Sequence, residues 1–138
     1  MKGEYSCAMD DKGRLNFPAK LREQLGETFV ISRWLEDCLV AFPASKWDEV
    51  NERLDGMGFA KSRKIKRFLF SGAADAAPDR QGRVRIPDPL RSFAGLVKDV
   101  VVVGTGSYAE IWDAAKWNGV VGGFDNEEIA GILEEIGF

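Results

Sequence analysis

Asp10-Asp11-Lys12-Gly13-Arg14-Leu15-Asn16-Phe17-Pro18-Ala19-Lys20-Leu21-Arg22 returns later in the chain as Asp79-Arg80-Gln81-Gly82-Arg83-Val84-Arg85-Ile86-Pro87-Asp88-Pro89-Leu90-Arg91. Asp10 and Asp79, Gly13 and Gly82, Pro18 and Pro87, and Leu21 and Leu90 are each 69 residues apart. One spacing shared by so many positions marks an internal duplication. Each glycine follows polar residues and precedes an alternating run, and glycine supplies the positive φ of a tight hairpin turn. Period two puts Leu15, Phe17, Val84 and Ile86 on a buried face, with Arg14, Asn16, Arg83 and Arg85 on the other. Pro18 and Pro87 stop the strands and suit the first position of a helix. Leu21 and Leu25 share a face of that helix, and Gly26 and Gly95 end the two copies. Each repeat is therefore expected to run hairpin, short helix, further strand, with cations beside its turn.

The remaining strands follow the same register. Phe29-Val30-Ile31 and Cys38-Leu39-Val40-Ala41-Phe42 flank a polar turn at Glu36-Asp37; Val100–Val103 and Ala109-Glu110-Ile111-Trp112 are their counterparts. Lys46-Trp47 and Lys116-Trp117 match at a shift of 70, so one residue was gained between the halves. Ser45 and Asp113 are candidate helix caps. Trp47 and Trp117 have apolar helical neighbours and are read as core rather than as ligand platforms. Gly56 and Gly58 break the helix that carries Trp47, Val50 and Leu54, and a second helix starts near Phe59. That connector bears Lys61, Arg63, Lys64, Lys66 and Arg67 beside an apolar stripe of Ile65, Phe68 and Leu69. Its cations are either a phosphate-contacting patch or the solvated face of a packing helix. Ile129, Ile132, Leu133 and Ile136 lie on one face of a final helix opposite glutamates, a pattern suited to packing or docking. The divisions are residues 3–55 and 71–120 for the repeats, 56–70 for the connector and 121–138 for the acidic tail.

Composition narrows the function classes. The chain of 138 residues is 45% hydrophobic and 30% charged, ordinary values for a globular protein with one compact core. Met1-Lys2-Gly3-Glu4 lacks the apolar core of a signal peptide, and no run approaches the roughly 20 apolar residues of a membrane helix; a cytoplasmic location is expected. Cys7 and Cys38 form no CxxC and are read as buried free thiols. With no histidine, the usual general base and the commonest zinc ligand are missing. No nucleophile elbow, phosphate loop or metal-ligand cluster stands out, so neither an enzyme nor a cofactor is expected. Net charge is −3, yet Asp125, Glu127, Glu128, Glu134 and Glu135 lie in residues 125–138 without a Lys or Arg. Removing those five acids from the total leaves residues 1–124 at +2. Local field matters more for binding than the total.

The repeated motif, with Arg22-Glu23-Gln24-Leu25, Cys38-Leu39, Pro43, Trp47, Arg67, Ser71-Gly72-Ala73, Ala94-Gly95-Leu96, Ile111-Trp112-Asp113 and Trp117, resembles the MraZ family of bacterial transcriptional regulators. The likeness covers nearly the whole chain apart from the tail. Ala73 stands where members commonly have His, and Lys2 where arginine is usual. The resemblance implies an α+β fold in which two tandem AbrB-like repeats build one swapped-hairpin β-barrel with short helices around it. It further implies a ring-shaped homo-oligomer, associated with the nucleoid, that binds short direct repeats in double-stranded DNA upstream of its own operon of cell-division and cell-wall genes. The family's Asp-x-x-Gly-Arg signature falls on Asp10, Gly13 and Arg14, and on Asp79, Gly82 and Arg83.

Arginine's planar fork pairs bidentately with guanine O6 and N7 or with a phosphate. Arg14 is thus the expected reader of base edges or flanking phosphates, with Lys12 beside it; Arg83 and Arg85 offer the same surface in the second repeat. Asp10 is expected to orient Arg14 or close the turn, because a carboxylate near phosphate is repelled. Gly13, Asp79 and Gly82 support the turns, while for Arg22 and Arg91 two roles stand open, a DNA contact or an ion pair within the fold. One turn carries few cations, so a ring that repeats the motif would raise avidity on DNA repeats. The competing reading is an AbrB-like scaffold or antitoxin-type module whose partner is another protein.

Overall fold

The computed structural model describes residues 1–138. The two copies correspond element by element. In the first, strand β1 (Glu4–Ala8) leads into β2 (Arg14–Asn16), helix α1 (Ala19–Leu25), β3 (Phe29–Arg33), β4 (Leu39–Pro43) and α2 (Ala44–Asp55). After α3 (Phe59–Ser71), the second copy follows as β5 (Ala74–Ala76), β6 (Arg83–Arg85), α4 (Asp88–Ala94), β7 (Asp99–Gly104), β8 (Ala109–Asp113) and α5 (Ala114–Gly122). A last helix, α6, spans Asn126–Glu135. The result is α+β, with six helices around an antiparallel sheet of six strands and a separate two-stranded ladder.

The sheet runs β1-β7-β8-β4-β3-β5. Its centre is β7-β8-β4-β3, two strands from each copy, and its outer strands are exchanged: β1 of the first copy pairs with β7, and β5 of the second pairs with β3. The expected local hairpins therefore do not form as ladders. Across the first turn only a single bridge, Met9 to Leu15, joins the flanking segments. Instead β2 pairs with β6, opposing Arg14 to Arg85, Leu15 to Val84 and Asn16 to Arg83. The reason is in the side-chain period. Leu15 and Val84 must both be buried on one face, and meeting each other across a ladder achieves this in one step. No closed barrel results: the sheet ends at β1 and β5, and β2 with β6 stays a separate ribbon.

The main core joins the inward residues of both copies, with Leu15, Phe17, Val84 and Ile86 each at most 1% exposed, as the alternation predicts. Phe17 and Phe29 meet at 5.4 Å between ring centroids. Strand β7 is apolar from Val100 to Val103 because its two faces serve two clusters: Val100 and Val102 join the main core, Val101 and Val103 pack with Cys38, Trp112 and Trp117. Trp117 is buried there, whereas Trp47 is half-buried between Phe42 and Phe70. Both cysteines are free; burial pushes the Cys7 thiol up to about 11 and Cys38 higher still, so both remain protonated and unreactive at neutral pH.

Three helix starts differ from expectation. Pro18 and Pro87 cap their helices rather than opening them, because each keeps an extended ψ (129° and 149°) at the strand's end. Pro43 does the same for α2, which places Ser45 inside the helix and away from the capping position. Asp113 caps as expected, accepting from the Lys116 N–H at 3.1 Å. Helix α6 buries no residue, and no helix is long and apolar enough to cross a membrane.

Replacing Phe17 by alanine is expected to cost about 3–5 kcal/mol, the range for emptying a buried aromatic site. Urea denaturation would read this as a lower midpoint at unchanged slope; a loss below about 1 kcal/mol would contradict the shared core.

Candidate nucleic-acid interface

The two glycine turns are built by one device used twice. Asp10 Oδ1 accepts from the backbone N–H of Lys12 at 3.0 Å and of Arg14 at 2.8 Å, while its Oδ2 accepts from Arg14 Nε at 2.7 Å. Asp79 repeats this with the N–H groups of Gln81 and Arg83, both at 2.9 Å, and with Arg83 Nε at 2.8 Å. The carboxylate thus closes the turn and fixes the arginine in one step. Both carboxyls are held below the usual carboxylate range, first by the backbone N–H of the arginine four residues on, then by its side chain.

Gly13 and Gly82 have φ of 75° and 79°, which favours glycine. A second constraint lies in what covers them. The Arg91 guanidinium of α4 sits where a Cβ on Gly13 would be, and the Arg22 guanidinium of α1 would stand 2.7 Å from a Cβ on Gly82. Each turn is therefore roofed by an arginine from the other copy. Arg22 is held by donating from Nε to the Phe17 carbonyl at 3.1 Å, and Arg91 pairs with Asp88. These two arginines serve the fold. The chain's own pattern carried the signal, since Arg22 and Arg91 recur at the same 69-residue spacing as the glycines.

The turns are also tied to each other's strands. Phe17 N–H donates to the Gly82 carbonyl at 3.1 Å, and Ile86 N–H to the Gly13 carbonyl at 2.9 Å. The β2–β6 ribbon lies between them. With Leu15 and Val84 turned inward, Arg14, Asn16, Arg83 and Arg85 share its outward face. Arg14 and Arg83 are half-buried, with Nε committed to aspartate and the outer guanidinium edge uncommitted; Arg85, Asn16 and Lys12 are exposed. Residues 10–14 and 79–85 together carry five cations against three carboxylates. Asn16, which directly opposes Arg83, was not singled out from sequence; its partner strand comes from the other copy.

No hydrogen bond or ion pair joins the connector to this face. In α3, Lys66 pairs with Asp55 at 2.5 Å, and the Arg63 guanidinium lies 5.8 Å from the Phe59 ring centroid. Leu69 is buried and Phe68 packs on Phe93, so α3 is a packing helix with a solvated basic side.

Two outcomes follow from the turns. Gly13→Ala is expected to cost about 1–3 kcal/mol through its left-handed φ and its clash with Arg91. In a double-mutant cycle, Arg91→Ala should remove the clash part alone, and strictly additive costs would deny the roofing contact. For pH, the folded-state carboxyls lie below their unfolded values. Their stabilisation is present above the ordinary value of about 3.9 and is lost as pH falls through the depressed one. Asp10→Asn with Asp79→Asn should therefore melt lower at pH 7 and show a flatter acid limb below about pH 4; an acid limb parallel to the parent's would count against the clasp.

A family model described as "MraZ protein, putative antitoxin-like" matches residues 1–67 and again residues 69–129. A protein of Heliobacterium modesticaldum called Transcriptional regulator MraZ is 43% identical over 136 residues, covering 97% of this chain and 92% of its own length. Proteins of the same name from Moorella thermoacetica and Leuconostoc citreum are 46% and 45% identical over 117 residues, each covering 83% of this chain and 82% of their own. On a match to nearly its full length, the chain belongs to the MraZ family.

Proposed function

We propose that this protein is a transcriptional regulator that binds double-stranded DNA through the outward face of the β2–β6 ribbon. Support comes first from the like charges on that face. Arg14 stands directly opposite Arg85, a pairing that weakens a ladder unless something else is gained. A polyanion supplies that gain, and a two-stranded antiparallel ribbon is one of the shapes the major groove of B-DNA admits. The name shared by the relatives points the same way. On this reading Arg14 and Arg83 present guanidinium edges, pre-aimed by Asp10 and Asp79, to base edges or adjacent phosphates. Lys12 and Arg85, free of ion pairs, contact phosphates. The carboxylates stay behind their arginines and away from the duplex.

The finer architecture belongs to the same proposal. The exchanged outer strands suit an AbrB-like swapped-hairpin arrangement, and copies would assemble into a ring that sets several ribbons against short direct repeats upstream of the protein's own operon of cell-division and cell-wall genes. Multivalency then lets an acidic chain hold DNA that one ribbon would hold weakly. A nucleoid-associated cytoplasmic location follows.

Fluorescence anisotropy with DNA from upstream of the protein's own gene tests this at fixed salt. Arg14→Ala and Arg83→Ala should each weaken binding by about 1–3 kcal/mol per contacted site, or roughly 5- to 150-fold. Arg85→Ala should weaken all sequences similarly and lower the salt slope by about 1 per lost phosphate contact. Unchanged affinity in all three would sink the proposal. Retention of a protein partner but no DNA at saturating concentration would favour the antitoxin-type module instead.

A further inference from the structure

Two surfaces of the chain are left without partners, and they are opposite in character. The first is an open groove of about 330 Å³ walled by Trp34, Tyr108, Trp112 and Trp117, with Glu36 and Glu110 contributing its charge. Half-exposed Trp34 meets Tyr108 edge-on at 5.6 Å, and Trp112 and Trp117, 5.8 Å apart, are buried beneath them, so the groove has an aromatic rim over an aromatic floor. Glu110 accepts from Trp112 Nε1 at 3.1 Å, and burial pushes its carboxyl upward. No lysine or arginine of the chain pairs with Glu36, Asp37 or Glu110. Phe124 also lines the groove and leads into α6, whose glutamates extend the acidic field.

The second surface is the start of α3. Phe59 is 80% exposed and Met57 49% exposed, a large apolar knob at a helix corner. Around it stand Arg63, which covers the Phe59 ring, and Lys61 and Lys64, none in an ion pair. No residue of α3 lines the groove of its own chain.

We propose that the aromatic groove receives the Phe59–Arg63 corner of a second copy of this chain, so that copies join head to tail. The inference rests on the homo-oligomeric reading above and names its joint. An aromatic surface bearing unpaired carboxylates selects a group that is both apolar and cationic. Phe59 stacked under Arg63 is such a group, and burying both removes two exposed apolar surfaces from water. Helix α6 of a second copy is the rival occupant, since its Ile129, Ile132, Leu133 and Ile136 are also exposed. Its glutamates would bring like charge to Glu36 and Glu110, whereas α3 brings opposite charge. The contact is heterologous: each copy offers one knob and one groove, so copies add in a ring or an open chain.

Light scattering after size exclusion, without DNA, tests the joint. Phe59→Asp destroys the knob and leaves the groove; Glu110→Lys spoils the groove and leaves the knob. Each alone should reduce the assembly to the 15.3 kDa chain, with circular dichroism unchanged. Mixed, the two variants should form a one-to-one dimer through the single intact pair and nothing larger. Raising salt should loosen the parent assembly. A monomeric parent, parent-sized assemblies from folded Phe59→Asp, a mixture that stays monomeric, or dissociation by Ile132→Asp in place of Phe59→Asp would each overturn the proposal. Arg14→Ala should keep its assembly while binding DNA more weakly, which separates failure of this joint from failure of the DNA-binding reading.

Discussion

The structure depends on two crossed backbone hydrogen bonds, from Phe17 N–H to the Gly82 carbonyl and from Ile86 N–H to the Gly13 carbonyl. They attach each turn to the strand of the other copy. A three-residue strand is too short to stand alone, and β2 and β6 each have only three residues. Between the two bonds they form one short ribbon whose register is fixed at both ends. That register decides which side chains face inward. With Leu15 opposite Val84, Arg14, Asn16, Arg83 and Arg85 must face outward. A slip by one residue would bury arginines and expose the core.

The same exchange explains why each turn needs glycine for two independent reasons. A left-handed φ alone would admit asparagine at modest cost. The guanidinium from the other copy's helix removes that option, since it occupies the space of any side chain. Roof, turn and ribbon are thus parts of one reciprocal assembly, in which Arg22 and Arg91 hold the fold and Arg14 and Arg83 are left with an edge to solvent. Four arginines from one repeated motif take two different roles because each strand arginine is clasped by its own turn's aspartate while each helix arginine covers the other copy's glycine.

Local chemistry made much of this legible in the sequence. The burial of Leu15, Phe17, Val84 and Ile86 follows from period two, and the turns at Gly13 and Gly82 from a repeated Asp-x-x-Gly-Arg. The role of Asp10 could be argued from electrostatics before any coordinate. What sequence did not disclose was pairing between copies. Adjacent alternating runs around a glycine read as a hairpin, and nothing within residues 4–16 indicates that β1 belongs beside β7 while β2 belongs beside β6. Leu15 lies opposite Val84 of the other copy and is fully buried there, a pairing no local pattern announces. The place of Asn16 beside Arg83 is hidden for the same reason: it exists only once the partner strand is known. Ser45 shows a smaller failure, where the extended ψ of Pro43 settled the helix start before a hydroxyl could.

Charge distribution links the two unpartnered regions to the ribbon. The chain carries −3 overall; residues 125–138 hold five acids and no Lys or Arg, and Glu36 and Glu110 line the aromatic groove, while the cations of α3 stand mostly unpaired. In a lone chain at physiological salt, where the Debye length is about 8 Å, the acidic tail would repel a duplex only when close to it. Joining acid-lined groove to basic helix between copies would neutralise both and leave the ribbon as the principal cationic surface of the assembly. The acidic total is then no obstacle to holding a polyanion. It would be the complement that draws copies together, and each added copy would contribute another ribbon with Arg14 and Arg83 already set by their aspartates. Affinity for nucleic acid would therefore rise with assembly rather than with the net charge of the chain.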